Sequence, residues 1–368
     1  MPDLDRETHA AFSTQDTTRI DDTRIAAVRA LVSPAMLQDD MPVTPAIEPL
    51  IERARSEIAA VLAGRDERLL VVVGPCSIHD HDQAMQYARL LQREAQALAG
   101  ELLIVMRVYF EKPRTTVGWK GYINDPLMDG SNRINEGLRR ARQLLLDVCA
   151  LGLPAGTEFL DLLSPQYMSD LIAWGAIGAR TTESQSHRQL ASGLSCPVGF
   201  KNGTDGGVKV AADALLAARA PHSFMGMTKM GVAAIFETRG NPDTHIILRG
   251  GKAPNFDAAS VDAACAALKA AGLREHVMID CSHANSSKQH RKQIEVGRDI
   301  AARIATGERR ISGVMIESHL LEGRQDVANG SLPQPGISVT DACLGWDDTA
   351  PLLRELAAAV RTRRERAA

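Results

Sequence analysis

The chain has 368 residues, of which 45% are hydrophobic, 24% charged and 4% aromatic, and its 42 Lys and Arg against 45 Asp and Glu give a formal net charge of -3. This length allows two ordinary domains or one large α/β barrel with an extension, and the composition excludes a disordered chain and a coiled coil. The near-neutral charge provides no overall basic field for nucleic acid or anionic lipid, so we expect any anion to be recognised locally.

Three features of the sequence predict a cytoplasmic protein. No run approaches the roughly 18 consecutive apolar residues of a membrane helix. The N-terminus, with Asp3, Asp5 and Glu7, is acidic where a secretory signal is basic and then apolar. The six cysteines show no CxxC spacing, which indicates reduced thiols and leaves a thiolate ligand possible.

The first 65 residues differ from the rest and look like an appended arm. The arm is polar and punctuated by proline up to Pro49. Apolar residues then recur at helical spacing up to Gly64, at Ile51, Ala54, Ile58 and Leu62.

From Leu69 onward, short apolar or β-branched runs alternate with amphipathic helical patterns, as in parallel βα units. Eight runs predict strands, at 69–74, 102–109, 155–160, 175–180, 197–201, 244–249, 277–281 and 313–317. Two further β-like runs, 222–228 and 232–238, flank a short turn and favour a hairpin. No GxGxxG follows the first strand to favour an open doubly wound sheet. The pattern therefore predicts a closed (β/α)8 TIM barrel with an N-terminal extension and a β-hairpin, about 222–238, inserted before the sixth barrel strand.

A polar or ionisable residue lies at the end of every predicted strand or just after it. These residues are Cys76, Arg107, Glu158, Arg180, Lys201, Arg249, His283 and Glu317. In a barrel the carboxyl ends of the strands meet at one mouth, where active sites are built, although a single charged residue there is often only a solvent cap. Eight such residues at successive strand ends favour an active site at this mouth.

The ionisable residues fall into two chemical groups. The cations suit a small ligand with several negative charges, and they comprise Arg107, Lys112, Arg114, Arg180, Lys201 and Arg249. The second group offers sulfur, nitrogen and oxygen donors for Mn, Fe, Zn or Co without selecting one, and it comprises Cys76, His283, Glu317 and Asp341. Taken singly, Cys76 could be an inert buried thiol and His283 a core histidine. Their joint placement at strand ends favours a divalent metal.

Seven runs of the sequence carry a family resemblance. They are VGPCSIHD at 73–80, MRVYFEKPRTTVGWKGYIN at 106–124, GARTTES at 178–184, GFKNGTDG at 199–206, ILRGGK at 247–252, CSHANSSK at 281–288 and SVTDA at 338–342. These runs resemble the class I microbial 3-deoxy-D-arabino-heptulosonate-7-phosphate (DAHP) synthases, over the chain from about residue 17. The resemblance implies a metal-dependent transferase that condenses phosphoenolpyruvate (PEP) with erythrose 4-phosphate and water, giving DAHP and phosphate at the entry to the shikimate pathway.

The resemblance also implies roles for individual residues. The metal ligands would be Cys76, His283, Glu317 and Asp341. PEP would be bound by Arg107, Lys112, Arg180, Lys201 and Arg249, with Glu158 and the backbone of Ala179 nearby. The phosphate of erythrose 4-phosphate would lie against Arg114 and Thr115. We further predict that Lys112 protonates the new alkoxide, because an amine held among Arg cations should have a depressed pKa.

Control by an aromatic amino acid, and assembly into a homodimer or homotetramer, are further implications of the resemblance. The predicted effector pocket lies on the outer barrel, at Asp161, Pro165, Gln166, Leu190, Leu194, Ser195 and Phe224. A neighbouring subunit's arm would close it, although these positions could equally be ordinary helix, loop and hairpin residues. On this interpretation, 1–65 is an oligomer and regulatory arm and 66–368 is the catalytic barrel.

Two other interpretations stay open. A 3-deoxy-D-manno-octulosonate 8-phosphate synthase would join PEP to arabinose 5-phosphate on a related barrel, but the KPRT run at 112–115 and the long arm argue against it. A catalytically silent effector-binding barrel is disfavoured because the four ligand positions and the cations are all retained. We expect neither nucleic acid nor a membrane as a partner.

Overall fold

Eight parallel strands close into a barrel. The computed structural model describes residues 20–327 and 334–367. The barrel strands are β1 (Leu69–Gly74), β2 (Leu102–Arg107), β3 (Ala155–Glu158), β4 (Ile172–Ile177), β5 (Val198–Lys201), β8 (Thr244–Leu248), β9 (Val277–Asp280) and β10 (Ile311–Glu317). Around the barrel they follow the order β1, β10, β9, β8, β5, β4, β3, β2. Every residue in them is buried, as expected of parallel strands covered on both faces. The predicted (β/α)8 barrel is confirmed.

Amphipathic helices pack around the outside of the barrel. They are α3 (His81–Ala97), α4 (Ile134–Ala150), α5 (Pro165–Met168), α6 (Gln185–Gly193), α7 (Lys209–Arg219), α8 (Ala258–Ala270), α9 (Lys292–Ala305) and α10 (Trp346–Ala367). In α3 the Asp80 side chain caps the amino end by accepting from the Gln83 amide, and the stripe that includes Tyr87 and Leu91 is buried against the barrel. Among the described residues, no helix combines the length and apolarity needed to cross a membrane.

Two helices precede the barrel. In α2 (Glu48–Leu62), Ile58 and Leu62 pack with Leu70, Leu103 and Met278 from the barrel strands, so α2 closes the amino-terminal end of the barrel. The shorter α1 (Pro34–Asp40) was not predicted. Its signal is local, since the Ser33 hydroxyl accepts from the Met36 amide and Pro34 occupies the first turn.

The inserted hairpin is confirmed outside the barrel. Strands β6 (Ser223–Met227) and β7 (Ala233–Glu237) pair antiparallel, with Met225 opposite Ile235 and Phe224 opposite Phe236. One face turns Phe224 and Phe236 inward, while Met225 and Ile235 are exposed on the other. The alternation follows from the two-residue repeat of a strand.

The prediction for the fourth barrel strand was wrong by three residues. The strand runs Ile172–Ile177, whereas the sequence suggested 175–180. The Thr181 and Thr182 amides both donate to the Gly178 carbonyl, so the chain turns there and Arg180 lies in the loop beyond the strand.

Candidate active site

Three donor side chains converge at the carboxyl end of the barrel. The ligating atoms of Cys76, Glu317 and Asp341 lie within 4.8 Å of one another, and Cys76 Sγ is 3.8 Å from Asp341 Oδ2. Metal–ligand bonds of about 2.0–2.3 Å in tetrahedral geometry place donor atoms about 3.3–3.8 Å apart, so this spacing suits an ion. Cys76 reaches the cluster through Gly74, where an added Cβ would lie 2.8 Å from the Arg107 carbonyl oxygen. The close approach requires glycine at that turn.

The fourth predicted ligand, His283, lies beside this cluster. It follows the carboxyl end of β9 by three residues, at the same end of the barrel as Cys76 and Glu317. His283 has φ of +56°, a left-handed conformation uncommon outside glycine and associated with functional sites. Its Nδ1 is 2.8 Å from Asp280 Oδ2. Among the described residues the group of donors within 4.8 Å comprises Cys76, Glu317 and Asp341, so His283 lies at the same end of the barrel but outside that group.

Arg107 forms the floor of the site. It is 1% exposed, its Nη2 donates to Glu317 Oε1 at 2.8 Å and to the Cys76 carbonyl at 3.2 Å, and its guanidinium lies 3.5 Å from the Tyr109 ring centroid. Burial raises the pKa of Glu317, but Arg107, His283 and Lys112 outweigh burial and lower it to about 2. Glu317 is thus ionised in this cation-rich pocket.

Lys112 is in direct contact with the thiol of Cys76. Its Nζ is 3.1 Å from both the sulfur and the carbonyl oxygen of Cys76. The expectation of a depressed pKa was wrong. Burial lowers the pKa of Lys112, as does Arg107, but Cys76, Glu317 and Glu158 raise it above its ordinary value. The anionic donors outweigh the cations around this ammonium.

The remaining predicted site residues lie at different depths in the barrel mouth. Lys201 is buried and its Nζ donates to Asp280 Oδ2 at 3.0 Å, and the buried Glu158 carboxylate lies over Gly178, two residues before Arg180. Ala179 and Arg249 are half-buried, whereas Arg114, Thr115 and Arg180 are exposed. The exposed residues lie in the loops after β2 and β4, so the cations extend from a buried floor to an accessible rim.

Three residues that hold the site together were not predicted. Gln293 hydrogen-bonds both the N–H and the carbonyl of Glu317, and Asn202 accepts from the Arg249 amide at 2.8 Å and donates to the Gly250 carbonyl. Asp280 contacts Lys201 and His283. Asn202 directly follows Lys201 in the GFKNGTDG run, which was the available signal for it.

A cavity of about 1000 Å³ lies between α5, α6 and the hairpin. Its lining includes six of the seven predicted effector residues, namely Pro165, Gln166, Leu190, Leu194, Ser195 and Phe224. The seventh, Asp161, is not in the lining, and its Oδ1 instead accepts from the amides of Leu163 and Ser164. On the hairpin side the Phe224 and Phe236 rings stack, with centroids 6.0 Å apart.

A barrel mouth that combines sulfur and carboxylate donors with buried cations is typical of enzymes that use a metal ion to act on small, multiply charged anions. The model of the DAHP synthetase I family matches residues 42–354. The chain belongs to the DAHP synthetase I family.

Individual relatives agree with this family. The chain is 58% identical to the Phe-sensitive phospho-2-dehydro-3-deoxyheptonate aldolase of Escherichia coli over 344 residues, covering 94% of this chain and 98% of the relative. It is 53% identical to a Trp-sensitive form from Escherichia coli over 345 residues, covering 94% and 99%. A solved structure of the Francisella tularensis aldolase matches with a TM-score of 0.90 at 51% identity, covering 92% of this chain and 99% of that one.

Proposed function

We propose that this DAHP synthase joins PEP to erythrose 4-phosphate in the barrel mouth, with Arg107, Lys112, Arg180, Lys201 and Arg249 holding PEP beside a divalent cation. The observation that carries the proposal is the convergence of Cys76, Glu317 and Asp341 within 4.8 Å, directly against Arg107 and Lys112. Both substrates are anions that repel each other. Fixed cations in a water-poor pocket offset that repulsion more effectively than the same cations in bulk water.

The metal donors would be Cys76, His283, Glu317 and Asp341. This mixed set fits Mn, Fe, Co or Zn. When bound, such a cation supplies Lewis-acid polarisation of the aldehyde oxygen. The exposed Arg114 and Thr115 at the rim would hold the sugar phosphate, which keeps the aldehyde end directed toward the floor of the site.

The bond changes follow from this arrangement. C3 of PEP attacks the aldehyde carbon and forms the new C–C bond, and the aldehyde oxygen becomes an alkoxide that takes a proton. Positive charge develops at C2 of PEP, water adds there, and cleavage of the C–O bond releases phosphate with the DAHP product. The reaction opens the shikimate pathway toward chorismate and the aromatic amino acids.

Lys112 is the proposed donor of the proton to the alkoxide. Its raised pKa means that the amine carries a proton at neutral pH, and its Nζ lies 3.1 Å from the sulfur of a metal donor. A Lys112→Met variant should lose most of kcat while folding normally. Near-normal turnover would remove Lys112 from this role.

The decisive test of the activity is PEP consumption with erythrose 4-phosphate and, separately, with arabinose 5-phosphate. We expect turnover only with erythrose 4-phosphate, loss of activity with EDTA and recovery with Mn²⁺. Glu317→Gln should abolish activity, and Glu52→Gln, at an exposed position, serves as the control. Preference for arabinose 5-phosphate would favour the octulosonate synthase, and inactivity with both sugars would favour a silent barrel.

We further propose that the cavity between α5, α6 and the hairpin binds an aromatic amino acid. Its support is the stacked Phe224 and Phe236 pair on an apolar wall, which suits an aromatic side chain. The relatives named above are described as Phe-sensitive and Trp-sensitive. Assay with Phe, Tyr and Trp in turn identifies the effector.

Deleting residues 1–20, which belong to the proposed regulatory arm 1–65, should weaken inhibition and leave catalysis largely intact, whereas unchanged inhibition would count against the arm's role.

The outer face of the hairpin supports a homo-oligomer. Met225, Met230, Val232 and Ile235 are 91%, 72%, 61% and 76% exposed and form an apolar surface beside the barrel. A second copy of the chain is the proposed occupant, because such surfaces commonly mark interfaces. Light scattering should show a dimer or tetramer that Ile235→Glu weakens, and an unchanged mass would exclude this face as the interface.

A further inference from the structure

Asp280 connects the two halves of the candidate active site. It is the last residue of β9 and is 0% exposed. One carboxylate oxygen, Oδ2, lies 3.0 Å from Lys201 Nζ and 2.8 Å from His283 Nδ1, and the other, Oδ1, accepts from the Ser282 amide at 2.9 Å. We propose that Asp280 is a positioning residue that orients the metal ligand His283 and the PEP-binding Lys201 together, an inference that rests on the function proposed above.

The barrel does not need this carboxylate for its packing. Removing a carboxylate from water is costly, and well-packed apolar residues generally stabilise a core at least as well as a buried ion pair does. The neighbouring strand residues Met278 and Ile279 show the apolar alternative. A charge retained at this depth, with its contacts directed to two site residues, indicates a role in the site.

The contact with His283 determines which imidazole nitrogen is free. No other partner reaches Nδ1 among the described residues, and its 2.8 Å contact with Oδ2 falls short of a well-aligned hydrogen bond. In a neutral ring with its proton on Nδ1, facing the carboxylate, the lone pair would lie on Nε2 and be available to an ion. Carboxylates behind metal-bound histidines fix ring orientation in this way, and their loss typically costs about 10–100-fold in metal affinity or activity.

The contact with Lys201 has a parallel consequence. Lys201 has a flexible four-carbon stem, and Asp280 is the carboxylate to which its Nζ is paired. In Asp280→Asn the amide N–H₂ would face the ammonium, donor against donor, whereas the oxygen could still accept from Ser282. The substitution therefore disturbs Lys201 and His283 and preserves the local turn.

The test compares wild type, Asp280→Asn and a matched control, Asp170→Asn. Asp170 pairs at 2.8 Å with the buried Arg142 and lies away from the barrel mouth, in the turn before β4. Each full-length protein is stripped of metal, and Mn²⁺ binding is measured by the EPR signal of the free ion. PEP binding is measured by calorimetry, and kcat and KM are measured separately.

We expect Asp280→Asn to bind Mn²⁺ 10–100-fold more weakly and to show a raised KM for PEP. Asp170→Asn should match wild type in both values even if its melting temperature falls. Should Asp280→Asn fail to fold, Asp280→Glu provides the second reading, with an intermediate loss of Mn²⁺ affinity expected. A folded Asp280 variant with Mn²⁺ affinity and PEP KM within threefold of wild type overturns the inference. Failure of wild type itself to bind Mn²⁺ or consume PEP would instead overturn the proposed function.

Discussion

Glu111 is a buried carboxyl group between the candidate active site and the proposed effector cavity. It is 5% exposed, directly precedes Lys112, and accepts a hydrogen bond from Ser164 Oγ at 2.9 Å. Burial raises its pKa to about 7 from an ordinary 4.5, with Asp161 and Glu158 adding to the rise and the bond from Ser164 opposing it. We predict that Glu111→Gln makes the protein's stability less sensitive to pH.

The sign follows from proton binding. Between pH 4.5 and about 7 the folded state keeps the Glu111 proton and the unfolded state loses it, so stability falls as the pH rises through this window. A pKa rise of this size corresponds to about 3 kcal/mol in total, of which roughly 2–3 kcal/mol is lost between pH 5 and pH 8. With an unfolding entropy of about 2.1 cal/mol/K per residue, that loss lowers the melting temperature by about 3 °C.

The assay is thermal unfolding by circular dichroism at pH 5 and pH 8, at one protein concentration and ionic strength. The melting temperature of Glu111→Gln minus that of wild type should rise by about 3 °C between the two pH values. Glu52→Gln, at an exposed position, is the control and should show no such change. A difference that is equal at both pH values would refute the argument from burial.

Three further substitutions follow from the site. Gly74→Ala places a Cβ 2.8 Å from the Arg107 carbonyl, so we expect a loss of about 1–3 kcal/mol, read as a lower urea midpoint, and an unchanged midpoint would show that the turn relaxes. Arg107→Lys removes the guanidinium whose Nη2 joins Glu317 to the Cys76 carbonyl, so kcat/KM for PEP should fall on the order of 100-fold, and a fall of only a fewfold would show that Arg107 acts only as a point charge. Gly226→Ala brings a Cβ within 2.9 Å of the Phe236 ring, so inhibition by the effector should weaken severalfold more than kcat changes, and intact inhibition would locate the effector elsewhere.

The barrel was predictable because its strands are continuous buried runs, such as Val71–Val73, separated by amphipathic helices. Boundaries were less predictable where the apolar run continues past the strand, as from Trp174 to Ala179 around the turn at Gly178. The short helix α1 was missed because seven residues carry too little periodicity to detect, although its Ser33-Pro34 start was visible.

The site residues also divide into those that the sequence predicted and those that it did not. Residues that follow strands, such as Cys76 and Lys201, were found because the barrel brings strand ends together. Asp280 was read as part of its strand, and its pairing with Lys201 joins residues 79 apart in the chain. The error for the pKa of Lys112 has a similar origin, because the number of anions around an ammonium depends on three-dimensional distances.

Helix α2 affects how substrates and products enter and leave the barrel. With its apolar face packed against one end of the barrel, α2 leaves the opposite end as the opening formed by the described residues. Both substrates then enter, and both products leave, through the same opening. The molecule bound nearest the opening therefore blocks the release of those bound deeper. We therefore expect substrates to bind and products to leave in a fixed order, which patterns of product inhibition should reveal.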